Sequence, residues 1–347
     1  MLPMVFAGKL IEWQKRHGRR GLPWQGTRDP YRVWLSEVML QQTQVSAVIP
    51  YYERFLRRFP TVEDLAAASE DDVLQLWSGL GYYARGRNLH AAAKTVVSMG
   101  FFPKKAEDIE ALPGVGKSTA AAIAAFAFGE RAAILDGNVK RVLARYFGIE
   151  GWPGEKAVET ALWERANRLL PKSDIETYTQ ALMDLGATVC TRTAPRCEAC
   201  PVRTGCTARK ANQTAEIPAP RPRRALPQKT VTWLLLLDHG QILLEKRPAP
   251  GIWGGLWSFP EAPSKDLEGH CLRSFACDVQ STKTLDTLEH GFTHFRLRIH
   301  PLLCQVTRKP TVQSPASLWI DVGDVSEAAV PSPVRTLASQ LNATSLV

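Results

Sequence analysis

The pattern of apolar positions in the first 206 residues is typical of packed helices. Ala and Leu are frequent there, and apolar side chains recur at intervals of three and four residues. Helix starts are indicated at Thr61–Asp64 and Ser69–Asp72, where a hydroxyl residue precedes an acid by three positions and can cap a new helix. We therefore predict that residues 1–206 form an all-α region.

The pattern changes after residue 228 from helical to β. Val231–Leu237 is a mostly apolar run, Asp238–Gly240 supplies turn residues, and Gln241–Lys246 is typical of a returning strand. Phe292–Val306 holds further strand material. These patterns predict an α+β protein in which residues 229–347 form a separate α/β domain.

Residues 207–228 connect the two regions and have a composition of their own. Prolines at four positions alternate there with arginines, which predicts a basic, semi-extended linker. The net charge of the chain is +9, and its excess of Lys and Arg lies in residues 1–228, since residues 229–347 are neutral overall. A basic surplus favours a polyanionic partner but does not identify one.

The N-terminal residues lack the charged segment, long apolar run and cleavage site of a targeting signal. The most apolar helical stretch, Thr119–Phe128, is far too short to span a bilayer of roughly 30 Å. We therefore expect a cytoplasmic protein that does not act at a membrane.

Four of the seven cysteines lie in one short segment with the spacing C-x6-C-x2-C-x5-C. They are Cys190, Cys197, Cys200 and Cys206. Four thiolates this close in sequence can enclose one metal centre. Disulfides are disfavoured in a cytoplasmic chain, and zinc sites more often pair two C-x2-C knuckles. From the residues alone, both a zinc ion and an iron–sulfur centre remain open.

Residues 112–120 (LPGVGKSTA) place a glycine turn between two helical segments, as in a helix-hairpin-helix motif. Gly114 and Gly116, followed by Lys117, would let backbone N–H groups approach a DNA phosphate without interference from Cβ. A contact with a phosphate does not distinguish one DNA sequence from another. A nucleotide-binding P-loop is the competing interpretation, but it requires a buried strand before the loop, and Ala106–Glu110 does not form one.

Two acidic residues stand in settings that would support catalysis. Glu37 is the single acid in a mostly apolar helical segment, residues 31–44. A helical Glu is most often solvated, but burial here would raise its pKa and let it hold a proton near neutral pH. Asp136 precedes a helical segment and can serve simply as an N-cap, or as an anion it can stabilise a cationic sugar.

Together these motifs resemble those of the MutY-type adenine DNA glycosylases, over roughly residues 8–305. The segments that carry the resemblance are residues 31–44, 79–85, 112–120 and 134–142, with the cysteine spacing. The resemblance implies a helix-hairpin-helix glycosylase domain with an iron–sulfur loop and a C-terminal Nudix-like domain. It also implies that the four cysteines hold a [4Fe–4S] cluster.

The same resemblance implies catalytic roles. Glu37 would protonate the departing adenine, Asp136 would stabilise the oxocarbenium ion or bond to it transiently, and Asn138 would position both groups or the water. Bifunctional relatives such as endonuclease III have a catalytic lysine where this chain has Ser118, and Lys117 is one helical step of about 100° away. We therefore expect a monofunctional enzyme that uses water, with Ser118 as an auxiliary candidate.

Adenine inside a duplex is unreachable, so such an enzyme must flip it out and fill the gap. Tyr82 follows a Gly-x-Gly sequence, which favours an exposed tip that can wedge between bases, although a core aromatic is the ordinary alternative. Lys140 could contact a phosphate or simply decorate a helix. The DNA-contact candidates are Gln41, Gln42, Thr43, Leu80, Tyr82 and Lys140, and those for the adenine pocket are Trp24 and Gln180.

Residues 251–260 (GIWGGLWSFP) resemble the Nudix-like domain of the same family. The stretch that follows lacks the Glu spacing that would hold Mg²⁺, so pyrophosphate hydrolysis is disfavoured. The family's lesion-sensing tip usually has serine where this chain has Thr293, followed by His294. The resemblance therefore predicts a monomer that binds double-stranded DNA with A:8-oxoguanine or A:G mismatches and acts in base excision repair.

Three alternatives make different demands on the sequence. A bifunctional endonuclease III-like enzyme would have lysine at position 118, and a Nudix hydrolase would have its Glu cluster. A catalytically inactive DNA-binding module would lack the Glu37–Asp136 pair. The chain meets none of these demands, which favours the adenine glycosylase.

Overall fold

A computed structural model of the protein describes residues 2–222, 225–248, 251–263, 265–310 and 316–343. Arg223 and Arg224 of the predicted basic linker lie outside the described residues. The chain folds into two compact units. The first comprises residues 1–67 and 88–223, and the second comprises residues 68–87 and 224–347.

The described helices and strands follow the α+β pattern that the sequence predicts. The helices are α1 (Leu2–His17), α2 (Pro30–Leu40), α3 (Val45–Arg58), α4 (Val62–Ala67), α5 (Glu70–Trp77), α6 (Ala84–Met99), α7 (Ala106–Glu110), α8 (Lys117–Phe128), α9 (Gly137–Phe147), α10 (Lys156–Leu169), α11 (Ile175–Asp184), α12 (Thr207–Lys210), α13 (Leu267–Phe275) and α14 (Ser332–Ala343). The strands are β1 (Gln228–Asp238), β2 (Gln241–Lys246), β3 (Trp257–Ser258), β4 (Cys277–Thr284), β5 (Leu288–Gly291), β6 (Arg296–Arg308) and β7 (Ser317–Asp321).

The first unit packs its helices around a core of Leu, Val and Ala side chains. Helix α11 contacts α1, α8 and α9, and α2 packs against α8. Both predicted capping signals are confirmed: the Asp64 N–H donates to Thr61 Oγ1 at 3.2 Å, and the Asp72 N–H donates to Ser69 Oγ at 3.1 Å. These local caps fix where α4 and α5 begin.

The first part of the predicted linker packs with the first unit. Residues 207–217 begin with α12 and continue in turns, and both Ala208 and Ile217 are buried in the core of the first unit. The guanidinium of Arg145 donates to the Ile217 carbonyl at 2.8 Å. Prolines and arginines dominate only after residue 217. The composition of the whole segment therefore does not indicate that two of its apolar side chains are buried in the core of the first unit.

The second unit is a mixed sheet with helices. Its strand order is β3-β2-β1-β6-β4, with β5 pairing with β6 and β7 pairing with β2. The predicted hairpin is confirmed, because β1 and β2 are antiparallel in the register Leu237↔Ile242, whereas β1 and β6 run parallel. Buried Cys271, Cys277 and Cys304 pack on this sheet, as expected of core cysteines.

Residues 68–87, which the helical pattern assigns to the first region, group with the second unit. Leu74 of α5 is buried in the core of that unit. Ser78 Oγ donates to the Val330 carbonyl and accepts from the Arg335 guanidinium, both at 2.8 Å. Lys246 and Asp71 form an ion pair at 2.7 Å. Contacts with residues far away in the sequence, rather than local pattern, decide where this segment belongs.

None of the described helices combines the length and the apolar character needed to cross a bilayer.

Candidate active site

A cleft of about 1200 Å³ opens in the first unit. Helices α2, α8, α9 and α11 all contribute side chains to its wall. The predicted residues that line it are Trp24, Glu37, Gln41, Gln42, Thr43, Ser118, Asp136, Asn138 and Gln180. The structure thus brings together the candidates for catalysis, for the adenine pocket and for part of the DNA contact, which lie far apart in the sequence.

Glu37 lies on α2, which begins where Asp29 accepts the N–H groups of Tyr31 and Arg32. Its sequence neighbours Ser36 and Val38 are buried, and Glu37 itself is half-buried at the cleft wall. Burial, and secondly the charge of Asp136, raises the pKa of Glu37 to about 8. The carboxyl can therefore hold a proton at neutral pH, as the sequence interpretation required.

Asp136 is the N-cap of α9 and also lines the cleft, so its capping role is confirmed and its catalytic role stays a prediction. Its carboxylate accepts the Val139 N–H at 2.7 Å and the Asn138 side-chain amide at 3.4 Å. Burial raises the pKa of Asp136, but these hydrogen bonds and the charge of Arg141 oppose the rise. Hydrogen-bond donors of this kind stabilise the charged form of Asp136. The charged form of Glu37 is instead destabilised, both by burial and by the charge of Asp136.

Arg141 joins Asn138 to the loop that carries the clustered cysteines. Its guanidinium donates to Asn138 Oδ1 at 2.8 Å, to the Gly186 carbonyl at 2.7 Å and to the Cys190 carbonyl at 2.8 Å. Because Asn138 in turn donates to Asp136, this chain of contacts runs from the cysteine loop to the cleft. Nothing in the local sequence pattern indicates it.

Ser118 lines the cleft and also supports the segment that leads to Asp136. Its hydroxyl oxygen accepts the Leu135 N–H at 2.9 Å, directly before Asp136 in the chain. The next residue, Thr119, accepts a hydrogen bond from the Gln41 amide at 3.1 Å, which ties α8 to the end of α2. The start of α8 therefore holds the segments that carry both carboxyl groups.

The glycine hairpin has the predicted helix–turn–helix form. Ala106–Glu110 is helical, so the P-loop interpretation, which needs a strand there, is wrong. Gly114 has a φ of +74°, and a Cβ on it would lie 2.5 Å from the Asn88 side chain. A Cβ on Gly116 would meet no atom within 4 Å, so its backbone is open to a ligand.

Two lysines named as phosphate contacts already have partners. Lys117 Nζ lies 4.5 Å from the centroid of the Trp163 ring. Lys140 Nζ forms an ion pair with Glu159 at 2.6 Å. Lys140 is therefore largely neutralised by its own unit, which favours the ordinary interpretation of a helix-surface lysine.

The predicted tip before α6 is exposed, as the Gly-x-Gly sequence indicates. Tyr82 is 46% exposed and has a φ of +49°, and the Arg85 guanidinium lies 5.5 Å from the centroid of its ring. Gly81, with a φ of +73°, supplies the turn. Leu80, predicted as a DNA contact, is only 7% exposed, so it presents little surface to a ligand.

The predicted lesion-sensing tip is the turn between β5 and β6. Thr293 and His294 are exposed there, with Thr293 Oγ1 3.4 Å from His294 Nδ1. Beneath them the ring of Phe292 stacks on that of Phe295 at 4.4 Å between centroids. A rigid aromatic base thus carries two exposed polar side chains.

The acids that follow residue 260 are engaged with arginines of their own unit. Glu261 pairs with Arg247 at 2.5 Å, and Asp266 caps α13 and pairs with Arg273 at 2.8 Å. Across the part of the chain that the structure describes, no group of three His, Cys, Asp or Glu side chains is arranged to hold a metal ion. That this domain lacks the acidic site of a Nudix hydrolase stays a prediction from the sequence.

The four clustered cysteines line one small cavity in the first unit. They are Cys190, Cys197, Cys200 and Cys206. The Arg145 guanidinium donates to the Thr191 and Arg192 carbonyls at 2.7 and 3.0 Å and to Cys190 Sγ at 3.4 Å, which places a positive charge beside the sulfurs. Four thiols that line one cavity provide the ligands that an iron–sulfur centre requires.

Sequence reasoning missed one acid at this site. Asp184 is fully buried at the end of α11 and contacts three cleft-lining side chains, Gln14, Arg19 and Gln180. In the sequence it looks like an ordinary helical acid. Only the fold brings its partners, which lie up to 170 residues away, around it.

The chain matches two protein families. Residues 35–168 match the "HhH-GPD superfamily base excision DNA repair protein" family, and residues 232–340 match the "NUDIX domain" family.

Full-length relatives share both parts. The chain is 35% identical to the adenine DNA glycosylase of Buchnera aphidicola subsp. Baizongia pistaciae, with 98% of each chain aligned. It is 34% identical to the adenine DNA glycosylase of Homo sapiens, over 95% of this chain and 73% of the human one.

Solved structures resemble the first unit. A thermostable thymine-DNA glycosylase superposes with a TM-score of 0.54 and 31% identity, over 60% of this chain and 97% of its own. A non-covalent endonuclease III–DNA complex superposes with a TM-score of 0.51 and 22% identity, over 61% of this chain and 98% of its own. This second match shows similarity of fold alone.

Proposed function

Since the chain belongs to the adenine DNA glycosylases of base excision repair, we propose that the cleft lined by Glu37 and Asp136 hydrolyses the N-glycosidic bond of a flipped-out adenine. The observation that carries this proposal is the pairing of the two carboxyl groups. One cleft holds an acid whose pKa is raised to about 8 and a second acid whose charge helps to raise it. Pairs separated in this way divide into a proton donor and an anion.

Each carboxyl group has one step in the proposed mechanism. Protonated Glu37 donates its proton to the adenine ring as the bond to C1′ breaks, so the base leaves as a neutral molecule. Asp136, held by the Val139 N–H and the Asn138 amide, stays anionic and stabilises the oxocarbenium ion or bonds to it transiently. Water then completes the hydrolysis at C1′.

Hydrolysis by water, without strand cleavage, is supported by what surrounds the cleft. Ser118 stands where bifunctional relatives have lysine, and its oxygen is engaged with the Leu135 N–H. Lys117 is not among the residues that line the cleft. The lysine that does line the cleft, Lys15, is paired with Asp174 at 3.3 Å, which disfavours its attack on the sugar in the manner of a bifunctional glycosylase.

We assign the binding of duplex DNA to three surfaces. The open backbone at Gly116 would contact a DNA phosphate, and the exposed Tyr82 ring would wedge between stacked bases. Gln42, on the cleft rim with a φ of 57°, would contact the gap that the flipped-out adenine leaves in the duplex. Neighbouring Gln41 and Thr43 belong to the same rim. At the turn between β5 and β6, the Thr293 hydroxyl and His294 would contact 8-oxoguanine opposite the adenine.

The cysteine cavity is proposed to hold a [4Fe–4S] cluster through its four thiolates. Bound there, the cluster would cross-link the loop after α11. Through Arg141 the same loop reaches Asn138, so the cluster would help to hold the site's geometry.

The remaining sequence-based expectations stay predictions. They are a catalytic region at residues 1–206, a linker at residues 207–228, a lesion-recognition domain at residues 229–347, a cytoplasmic location and a monomeric state.

The proposed reaction is tested with end-labelled duplexes that carry adenine opposite 8-oxoguanine, guanine or thymine. We expect adenine release opposite 8-oxoguanine and guanine, with little opposite thymine, and an intact strand until alkali is added. Strand breaks that appear without alkali at the rate of base release would contradict hydrolysis by water. Equal release opposite 8-oxoguanine and thymine would overturn the assigned lesion preference.

A further inference from the structure

The buried carboxylate of Asp184 accepts four hydrogen bonds and forms an ion pair behind residues that line the cleft. Oδ1 accepts from Arg19 Nε at 2.8 Å and from the Gln180 side-chain amide at 2.9 Å, and it pairs with Arg19 Nη2 at 2.7 Å. Oδ2 accepts from the Gln14 side-chain amide and from the Arg19 backbone N–H, both at 2.9 Å. The side chain of Asp184 is fully shielded from solvent.

The chemistry of Asp184 decides which way the Gln180 amide faces. A carboxylate paired with a guanidinium only accepts hydrogen bonds, so the amide nitrogen of Gln180 must be the atom that contacts it. The amide oxygen is then the atom left for the cleft, which Gln180 lines. Turning the amide over would set two acceptors against each other in a buried position, at a large cost.

We propose that Asp184 is a positioning residue that makes the cleft select purines with an amino group at C6. By fixing the Gln180 amide, it presents an acceptor that pairs with an exocyclic amine and repels a 6-keto oxygen. The inference rests on the proposed function and adds to it a cause for the preference for adenine over hypoxanthine or guanine.

Asp184 also holds the second segment of the base-binding wall. Its contact with the Arg19 N–H fixes the start of the loop that leads to Trp24. The Gln25 amide donates to the Arg19 carbonyl at 3.0 Å, which closes this loop. The Trp24 ring packs edge-on against Tyr52, at 5.4 Å between centroids. The carboxylate of Asp184 therefore positions both the Gln180 amide and the loop that carries Trp24.

The test compares three bases, each opposite the same 8-oxoguanine: adenine, hypoxanthine and unsubstituted purine. Purine has neither an amine nor a keto group at C6, so its release reports general damage to the site. Single-turnover rates would be measured for the wild type and for Asp184→Leu. Leucine has a similar size but no acceptor, so the Gln180 amide loses the contact that fixes its orientation.

We expect Asp184→Leu to lower the adenine-to-hypoxanthine rate ratio by about tenfold or more, because a matched hydrogen bond is worth about that factor in discrimination. The purine rate should change much less. Replacing Gln180 by Glu in the Asp184→Leu background should restore the ratio, because either carboxylate oxygen can then accept from the amine.

The outcomes separate the two proposals. Adenine release by Asp184→Leu with an unchanged ratio overturns the inference and leaves the proposed function standing. Failure of the wild type to release adenine overturns the proposed function itself.

A second measurement does not depend on the folding of any Asp184 variant. In the wild type, the side-chain amide protons of Gln180, assigned by their loss in Gln180→Met, should include one proton that exchanges slowly with solvent. Exchange of both protons at the rate of a free amide would overturn the inference.

Discussion

We expect Glu37 and Asp136 to differ in protonation because their neighbours differ, although burial raises the pKa of both. Asp136 caps α9 and so receives hydrogen bonds from the Val139 N–H and from Asn138. Glu37 lies on the flank of an apolar helix, where burial and a nearby negative charge both disfavour ionisation. The sequence shows two acids of the same chemistry, and the helix position of each decides its role.

The first prediction concerns the pH dependence of catalysis. Because the pKa of Glu37 is raised to about 8, kcat/KM for adenine release should be level below that pH and fall about tenfold per unit above it. The profile would be measured in single-turnover reactions from pH 6 to 9.5. A rate that increases through pH 8 would mean that Glu37 is needed as a base.

A second prediction follows from thermodynamic linkage. With a folded pKa near 8 and an unfolded value near 4.5, the native state binds more protons between these pH values. The contribution of Glu37 to stability is therefore fully present below about pH 4.5 and is lost as the pH rises through about 8. Because glutamine does not ionise, Glu37→Gln abolishes this loss of stability at high pH.

We expect Glu37→Gln to raise the free energy of unfolding at pH 8.5 by about 2 kcal/mol relative to its effect at pH 4.5. This value is lower than the full shift in pKa would give, because the carboxyl is partly open to solvent. Denaturant unfolding at the two pH values measures the difference. An effect of the substitution that is independent of pH would contradict the raised pKa.

At the scale of elements, the hairpin between α7 and α8 provides a matched pair of glycines. A Cβ on Gly116 meets open space at an ordinary φ, whereas a Cβ on Gly114 meets Asn88 at a φ of +74°. A substitution at Gly116 can therefore change DNA binding without changing the stability of the fold, whereas a substitution at Gly114 cannot.

Gly116→Ala should therefore leave the free energy of unfolding within about 0.5 kcal/mol of the wild type and weaken duplex binding about tenfold, because the new Cβ blocks a phosphate contact. Gly114→Ala should instead destabilise the fold by about 1 kcal/mol or more. Unfolding curves and binding isotherms at fixed salt measure both effects. Unchanged affinity in Gly116→Ala would remove the hairpin from the DNA interface.

At the scale of the whole molecule, local signals allowed most of the fold to be predicted. The β1–β2 hairpin and the starts of α4 and α5 depend on neighbouring residues, so the sequence predicts them closely. The packing of residues 207–217 and of residues 68–87 depends on partners far along the chain, and composition indicates neither.

The candidate site divides in the same way. Glu37 and Asp136 stand out as acids beside apolar segments, and their place in one cleft agrees with the family resemblance. Asp184 does not stand out, because its importance depends on Gln14 and Arg19, which lie over 160 residues away. Burial of a carboxylate is a property of the fold and leaves no mark on the residues around it in sequence.

A fourth prediction concerns the cysteine cavity. Purified protein should be brown and absorb near roughly 400 nm from charge transfer between thiolate and iron. Removal of iron should lower the thermal stability of the first unit, because the loop after α11 loses its cross-link. Elemental analysis is the control, and a colourless preparation with one zinc per chain would contradict the cluster.

The most direct test of the catalytic assignment is a comparison of Glu37→Gln with the wild type on one duplex that carries adenine opposite 8-oxoguanine. Binding and single-turnover release would be measured on the same preparations. Because the glutamine keeps the shape of the side chain but cannot give up a proton as an acid, we expect near-normal affinity and release slowed by at least about 100-fold. Release by Glu37→Gln at the wild-type rate would contradict the role of Glu37 as the acid.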